Sequence, residues 1–405
     1  MNTKVGLLLV SALIVLLPWL AWRVQAVRRV APLAVVQILA GVLLGPSLLG
    51  RVAPGLHAAL FTPPVLSAVD GVAALGVLLY VFATGLHLDT AALRVDARRL
   101  GLVALGSVAV PFALGLAAAG WILARMPDAL GPAGSTAGFM VAVALCIAVT
   151  ALPVLAAVLQ EMGLLGTRLG QVALAVAALN DAALWLMLAV LLAVAGAGGS
   201  LLGLALAILW VAVLLCAIRP LLRRLERCGE QAMLVAGVSL AIVSAGVSEA
   251  LGTGYLIGAF LAGAIMPPAC RAPVLARLEL LTATVLLPFF FMSTGLKALI
   301  DPFSAGFLFL LLVATGTTML GKLAGTAPAA RAAGFSFADS LALGAMMQTK
   351  GLMEVVVLAV LHEAGLIGSQ IFSAMVAMAM VCTVATAPLV RLCRRTPQAA
   401  RALNG

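Results

Sequence analysis

Between Leu169 and Ala195 the chain reads LGQVALAVAALNDAALWLMLAVLLAVA. This run is long enough to cross a bilayer as a helix, which takes about 20 apolar residues. Its one ionisable side chain, Asp181, follows Asn180 near the middle of the run. A carboxylate at hydrocarbon depth costs several kcal/mol, so it indicates a functional site. We interpret Asp181 as a group that holds a proton or a small cation; the alternative is a buried, protonated, hydrogen-bonded acid.

The whole chain shares this apolar character. Of its 405 residues, 64% are hydrophobic and 9% are charged. This composition excludes a soluble globular domain, whose surface would lack polar groups. The apolar runs are continuous and do not alternate with polar residues, which favours helices over a β-barrel. The composition therefore predicts an all-α polytopic protein in a lipid bilayer.

Other classes of function lack their sequence signatures. The formal net charge is +10, but no basic run carries the interleaved aromatic residues typical of nucleic-acid binding. The six cysteines are scattered, and no zinc-ligand spacing connects them to the three histidines. No phosphate loop and no set of nucleophile, base and acid occurs. We therefore expect no nucleic-acid partner, no cofactor and no enzymatic activity.

Apolar runs and charge breaks predict about thirteen transmembrane helices. They cover residues 5–22, 31–49, 66–86, 99–124, 137–160, 168–195, 200–219, 231–248, 252–268, 275–298, 303–328, 336–362 and 366–391. Of the 24 Lys and Arg residues, 18 fall in the loops of one side and 4 on the other side, which leaves Lys322 and Lys350 inside spans. Cytoplasmic loops carry the excess of Lys and Arg. We therefore expect a protein of the plasma (inner) membrane, with its N-terminus outside and its C-terminus cytoplasmic.

Thirteen spans divide into six, one and six, which predicts two inverted six-helix repeats of the kind common in secondary transporters. The fifth and twelfth spans are equivalent in this scheme. The fifth contains Ala151 and Pro153, where proline removes a backbone donor. The twelfth contains Gln348, Thr349 and Gly351, where glycine loosens the helix. We predict that both helices are interrupted at these residues, with a chance pairing of Gly and Pro as the alternative.

Four charged side chains fall inside the predicted spans: Asp181, Lys322, Lys350 and Glu354. From helix rise and the nearest cytoplasmic charge, Asp181 lies about 20 Å deep, Lys350 about 17 Å and Lys322 about 14 Å. The long stem of Lys322 can span the difference. Charges from three helices can therefore meet at one level. Glu354 lies one turn beyond Lys350, a spacing that lets the two residues pair.

These residues also have structural interpretations. Lys322 can snorkel to the inner interface. Lys350 and Glu354 can form a permanent pair that holds an interrupted helix. Asn180 can serve helix packing through hydrogen bonds, and Thr150 can bond back to its own helix.

Several short motifs occur in an order typical of one family. They are GPSLL at 45–49, VTALPVL at 149–155, QEMGLL at 160–165, Asn180-Asp181 with Trp185, GAFLAG at 258–263, LPFF at 287–290 through Gly295-Leu296, and TKGLME at 349–354. Through these motifs the chain resembles the monovalent cation:proton antiporter superfamily. The branch it resembles most includes the plant cation/proton exchangers and the bacterial Kef-type potassium efflux systems.

The resemblance implies a homodimer with a sodium/proton-antiporter-like fold, in which broken fifth and twelfth helices cross within a mobile core. On this chain it implies scaffold and dimerisation helices at 1–97 and 228–300, and core helices at 98–196 and 301–395. A linking helix at 197–227 and a short cytoplasmic tail at 396–405 complete the division.

The resemblance also implies that Asp181 is the exchanging carboxylate and that Lys322 is the base near the site. Electrogenic relatives carry two acids where this chain has Asn180 and Asp181. Relatives with Asn-Asp are often electroneutral, but they usually hold Arg at the Lys322 position. The resemblance therefore leaves the stoichiometry open.

These observations predict a secondary antiporter that exchanges Na⁺ or K⁺ for H⁺ with alternating access and serves pH homeostasis. Proton and cation would compete for Asp181, while Asn180, Thr150 and opened carbonyls supply the neutral oxygens that a hard cation takes. The alternatives are a cation-selective channel or uniporter and a Na⁺-coupled solute symporter. No span carries the polar stripe of a pore, and no polar, aromatic-lined substrate pocket is visible in the sequence.

Overall fold

The computed structural model describes residues 3–30, 33–86, 97–195, 201–226, 229–251, 254–298 and 304–402. Within these ranges the regular structure is helical, and β-pairing is limited to one isolated bridge between Leu130 and Ile367. The helices are α1 Thr3–Arg23, α2 Gln25–Val30, α3 Leu33–Leu44, α4 Leu49–Val52, α5 Pro54–Leu60, α6 Pro63–Leu86, α7 Ala97–Arg125, α8 Thr136–Ala148, α9 Leu152–Glu161, α10 Arg168–Ala195, α11 Leu201–Val213, α12 Arg219–Leu225, α13 Glu230–Ala250, α14 Tyr255–Ala264, α15 Pro268–Leu281, α16 Leu287–Lys297, α17 Ala305–Ala332, α18 Phe337–Met347, α19 Leu352–Glu363 and α20 Ser369–Ala402.

Nine helical stretches in the described part of the chain are long and apolar enough to cross a membrane. They are Thr3–Arg23, Leu33–Val52, Pro63–Leu86, Arg98–Arg125, Arg168–Leu192, Glu230–Ala250, Pro268–Lys297, Ala305–Ala332 and Ser369–Cys393. They coincide with nine of the predicted spans, so the prediction of an all-α polytopic membrane protein is confirmed. The other four, 137–160, 200–219, 252–268 and 336–362, coincide with shorter or interrupted helices, and the count of thirteen stays a prediction.

The chain forms two compact units, and α10 contributes residues to both. The first unit consists of Met1–Asp89 and Ala189–Leu299. In this unit α16 packs against α3 and α6, and α14 packs against α6 and α13. The helices approach closely at glycines: a Cβ atom at Gly295 would lie 2.2 Å from the carbonyl oxygen of Ile38. Small residues at such contacts are typical of helix packing in membranes.

The second unit consists of Thr90–Leu188 and Ile300–Gly405. Here α17 packs along α7, and α18 and α20 pack against α17. A Cβ at Gly325 would lie 2.1 Å from the carbonyl oxygen of Gly106. A Cβ at Gly321 would lie 2.9 Å from Cα of Pro111. The contact between α7 and α17 is therefore a backbone-to-backbone approach, which larger side chains would prevent.

Two apolar stretches in this second unit are interrupted. The first stops at the end of α8 and resumes with α9, and the second stops at the end of α18 and resumes with α19. The backbone N–H of Ala151 donates to the carbonyl of Thr349 at 3.0 Å, so the two interruptions meet. A Cβ at Gly351 would lie 2.4 Å from Cγ2 of Val154, so this position has no room for a larger residue than glycine.

The role of Pro153 differs from the one expected from sequence. We expected it to interrupt a helix by removing a backbone donor from the interior, but it is the second residue of α9, just after the interruption. In a first helical turn the backbone N–H has no intrahelical partner, so a missing donor costs little there. Pro153 therefore helps α9 to begin at Leu152.

Candidate ion-binding site

Asp181 lies on α10 in the second unit with 2% of its surface exposed. Neither carboxylate oxygen has a hydrogen-bond partner within the described ranges. The backbone N–H of Leu152, at the start of α9, interacts with the carboxylate but lacks the geometry of an ordinary hydrogen bond. The N-terminus of a helix carries positive partial charge and favours an anion. A buried carboxylate with two open oxygens is the arrangement expected where a proton or cation binds.

Asn180 and Thr150 form a hydrogen-bonded group beside this carboxylate. Nδ2 of Asn180 donates to Oγ of Ser107 at 2.9 Å and to Oγ1 of Thr150 at 3.4 Å. Thr150 donates its own proton to the carbonyl of Met347 at 2.6 Å, across the two interruptions. The alternative that Thr150 bonds back to its own helix is wrong, because its hydroxyl donates to a carbonyl of α18.

Lys322 on α17 is fully buried, so the alternative that it snorkels to the interface is wrong. Its ammonium donates to Oγ1 of Thr150 at 2.8 Å, to the carbonyl of Ser107 at 2.9 Å and to the carbonyl of Ala148. It interacts electrostatically with Asp181, but none of its hydrogen bonds goes to that carboxylate. Lys322 is therefore next to the site without occupying it.

Lys350 and Glu354 form a second buried group in the same unit. Nζ of Lys350 lies 3.2 Å from Oε2 of Glu354, and both side chains are completely buried. The ammonium directs its hydrogen bonds to the carbonyls of Cys146 and Ile147, the latter at 3.0 Å. Neither oxygen of Glu354 has a hydrogen-bond partner of ordinary geometry among the described residues. The ammonium of Lys350 is thus the main compensation for this acid.

Both lysines bind the C-terminal end of α8. Lys322 bonds to its last carbonyl, and Lys350 bonds to the two carbonyls before it. The last carbonyls of a helix have no intrahelical donor and carry negative partial charge. Two buried ammonium groups donate to these carbonyls. The break in this helix is therefore stabilised by charge from two other elements.

The structure brings together most of the residues singled out from the sequence. Asp181, Asn180, Thr150 and Lys322 are connected around the first interruption, as the contacts above show. Lys350, which pairs with Glu354, donates to the carbonyls of Cys146 and Ile147 near the end of α8. Gln348, in the second interruption, is fully buried, and neither polar atom of its amide has a partner within the described ranges.

Sequence reasoning missed Ser107 and Pro111 on α7. Ser107 is fully buried and contacts both Asn180 and Lys322. A signal for it was present, because it is the one hydroxyl residue in this helix. A lone serine in an apolar span is usually interpreted as a packing residue, and its partners are invisible in the sequence.

Fold and site together define a class: a polytopic helical membrane protein in which two interrupted helices meet beside a buried carboxylate. Secondary transporters share this arrangement. Residues 9–392 match the model of the transmembrane sodium/hydrogen exchanger family, and the chain belongs to that family. The resemblance inferred from the sequence motifs is confirmed.

Individual relatives agree with this assignment. The chain is 32% identical to Cation/H(+) antiporter 18 of Arabidopsis thaliana over 95% of its own length and 48% of the relative. It is 30% identical to the Na(+)/H(+) antiporter NhaS4 of Synechocystis, covering 89% of this chain and 90% of the relative. The chain thus spans about half the length of the plant relative and nearly all of the cyanobacterial one.

A solved structure has the same fold. It is the sodium proton antiporter MjNhaP1 from Methanocaldococcus jannaschii, with a TM-score of 0.63 and 96% of each chain covered. Its sequence identity of 14% means that the likeness concerns the fold alone.

Proposed function

We propose that this chain is a secondary antiporter that exchanges a monovalent cation, Na⁺ or K⁺, for H⁺ at Asp181. The observation that carries the proposal is the buried carboxylate whose two oxygens have no hydrogen-bond partner within the described ranges. Apolar surroundings penalise an ionised carboxylate, and either a proton or a cation removes that penalty. A proton and a cation that bind the same oxygens exclude each other, so the transport of one is coupled to the transport of the other.

The neighbours of Asp181 have separate roles in this proposal. A hard cation takes several oxygen ligands, and the two oxygens of Asp181 with Oδ1 of Asn180 provide them. The hydroxyl of Thr150 has one proton and two lone pairs, and all three are engaged by Met347, Lys322 and Asn180. Thr150 therefore orients its neighbours and is a ligand only after rearrangement.

Charge explains why the loaded site can move. A proton or a monovalent cation neutralises the carboxylate of Asp181, whose two oxygens have no hydrogen-bond partner within the described ranges. A proton or a monovalent cation adds the same single charge, so both loaded states are equivalent electrostatically. The empty site leaves Asp181 as a desolvated anion, which opposes its passage through an apolar environment.

Alternating access requires two parts with separate tasks. We assign the second compact unit, which contains the site, as the mobile core, and the first unit as the scaffold through which the chain forms a homodimer. The close helix contacts within each unit support movement as rigid bodies. We also propose the orientation indicated by loop charge, with the N-terminus outside and the C-terminus in the cytoplasm.

Exchange in proteoliposomes with an internal pH dye tests the proposal. An outward or inward gradient of Na⁺, K⁺ or Li⁺ is applied, with and without a clamped potential. Asp181→Asn keeps the shape of the side chain and removes its charge, so exchange should fall by about 100-fold or more, as expected for loss of the binding charge. Asp339→Asn, in the first turn of α18 in the same unit, is the matched control and should exchange normally.

Two results would reject this mechanism. One is exchange by Asp181→Asn at the wild-type rate in protein that elutes as a folded species. The other is cation flux that carries charge but moves no protons, which would favour a channel or uniporter.

A further inference from the structure

Pro111 lies in the interior of α7, and it changes the hydrogen bonding of Ser107. Proline has no backbone N–H, so the carbonyl four residues earlier loses its helical donor. That carbonyl belongs to Ser107. In a membrane span an unfilled acceptor costs several kcal/mol unless another group donates to it. The group that donates here is the ammonium of Lys322, at 2.9 Å.

The same proline forms part of the helix contact that brings Lys322 into place. A Cβ at Gly321 would lie 2.9 Å from both Cα and Cβ of Pro111. Gly321 immediately precedes Lys322 in the sequence, so this contact places the backbone next to Lys322 against α7. One turn further along, Gly325 approaches Gly106. Pro111 therefore creates the acceptor and also part of the surface against which its donor packs.

An ammonium group has three protons, and all three are used at Lys322. The acceptors are the Ser107 carbonyl, the Ala148 carbonyl and Oγ1 of Thr150. Neither carbonyl has a backbone donor within its own helix. Pro111 removes the donor for the Ser107 carbonyl in α7, and α8 ends at Ala148. No proton of Lys322 remains for the oxygens of Asp181, which stay available.

We infer that Pro111, through the Ser107 carbonyl, is a positioning residue that holds Lys322 in place as a hydrogen-bond donor directed away from Asp181. Because Glu354 is paired with Lys350, Asp181 is then the proton carrier of the exchange, and one cation is exchanged for one proton. The inference rests on the proposed antiport at Asp181. The charged groups that act on Lys322 are Asp181 on α10, Lys350 in the second interruption and Glu354 on α19, and none of them accepts a hydrogen bond from it.

Pro111→Ala tests this role, because alanine restores the N–H and returns the Ser107 carbonyl to the helix. Lys322 then keeps two of its three acceptors and moves toward Asp181, where it competes with protons and cations. We expect the KM for Na⁺ (or K⁺, whichever is transported) to rise about tenfold, the size expected for one charge-assisted hydrogen bond. The pH of half-maximal exchange should fall by about one unit for the same reason, while the maximal rate stays within about threefold.

Pro328→Ala is the matched control. Pro328 is the interior proline of α17, and the carbonyl that it frees belongs to Ala324, which is not an acceptor of Lys322. Its KM and pH profile should equal those of the wild type. The same shift in both variants would show a general effect of proline removal and would overturn the inference. An unchanged KM and pH profile in Pro111→Ala would overturn it as well.

A measurement on the wild type keeps the inference testable if Pro111→Ala does not fold. The response of exchange in proteoliposomes to a clamped membrane potential gives the number of protons per cation, because a one-for-one exchange moves no net charge and does not respond. A ratio of one is expected, whereas a ratio of two would mean that a second group, such as Lys322, releases a proton. Absence of any exchange in the wild type would be a failure of the proposed function. Wild-type exchange with two protons would refute only the present inference.

Discussion

Lys350 and Glu354 allow a quantitative test of the buried charges. Removing one partner of a fully buried ion pair typically costs about 3–5 kcal/mol, because the other charge stays buried without compensation. The two partners are not equivalent in this protein. Glu354 has no other ordinary hydrogen bond among the described residues, whereas Lys350 also donates to the carbonyls of Cys146 and Ile147. The costs of the two single substitutions should therefore differ.

We expect Lys350→Met to lower the free energy of unfolding by about 3–5 kcal/mol. It isolates Glu354 and also leaves two carbonyls at the end of α8 without a donor. Glu354→Gln should cost about 1–2 kcal/mol, because the ammonium keeps its carbonyl acceptors. The double variant should be more stable than Lys350→Met alone, since no isolated acid remains in it.

Denaturant titration in detergent, followed by tryptophan fluorescence, measures all four species of this double-mutant cycle. The coupling energy, the difference between the double variant and the sum of the singles, should be about 1–3 kcal/mol for contacting residues. Additive effects would refute the claim that the two side chains compensate each other. A larger cost for Glu354→Gln than for Lys350→Met would refute the role assigned to the end of α8.

Two further substitutions probe the packing and the polar group around Asp181. Gly351→Ala places a methyl group 2.4 Å from Cγ2 of Val154, so it should lower the thermal midpoint of unfolding by several degrees. Adding Val154→Ala to this variant should restore most of the loss. Ser107→Ala removes a partner of Asn180 but keeps the carbonyl that binds Lys322; the KM for the cation should rise about threefold to tenfold without a change in the pH profile. Ser107→Thr, which keeps the hydroxyl, should restore the KM, and a shifted pH profile in Ser107→Ala would contradict the separation of the two roles.

The membrane class followed from the sequence because it depends on a one-dimensional quantity, whereas the depth of Asp181 stays a prediction. The length of an apolar run decides whether a helix can span, and helix rise converts residue number into depth. The pairing of Lys350 with Glu354 was also predictable, because residues four apart on a helix lie on one face. The structure keeps this pairing, although Lys350 lies just before α19 begins.

The interruptions were predictable in position but not in cause. Gly351 was expected to loosen a helix, whereas its need for a small side chain comes from its approach to Val154 on the equivalent half-helix. Pro153 was expected to break a helix interior and instead lies in a first turn. Both reasons depend on which helix lies opposite, and residue type alone does not contain that information.

The sequence by itself determined that the protein spans a membrane and that it carries an acid within an apolar helix, and it predicted that four charges lie within reach of one another. Tertiary structure decided where the protons of Lys322 go. The depth estimated from the sequence predicted that this lysine lies near Asp181. Its three hydrogen bonds, however, go to Thr150 and to the carbonyls of Ser107 and Ala148. A hydrogen bond requires direction as well as proximity. That direction is set by the close packing of Gly321 on Pro111 and by the end of α8.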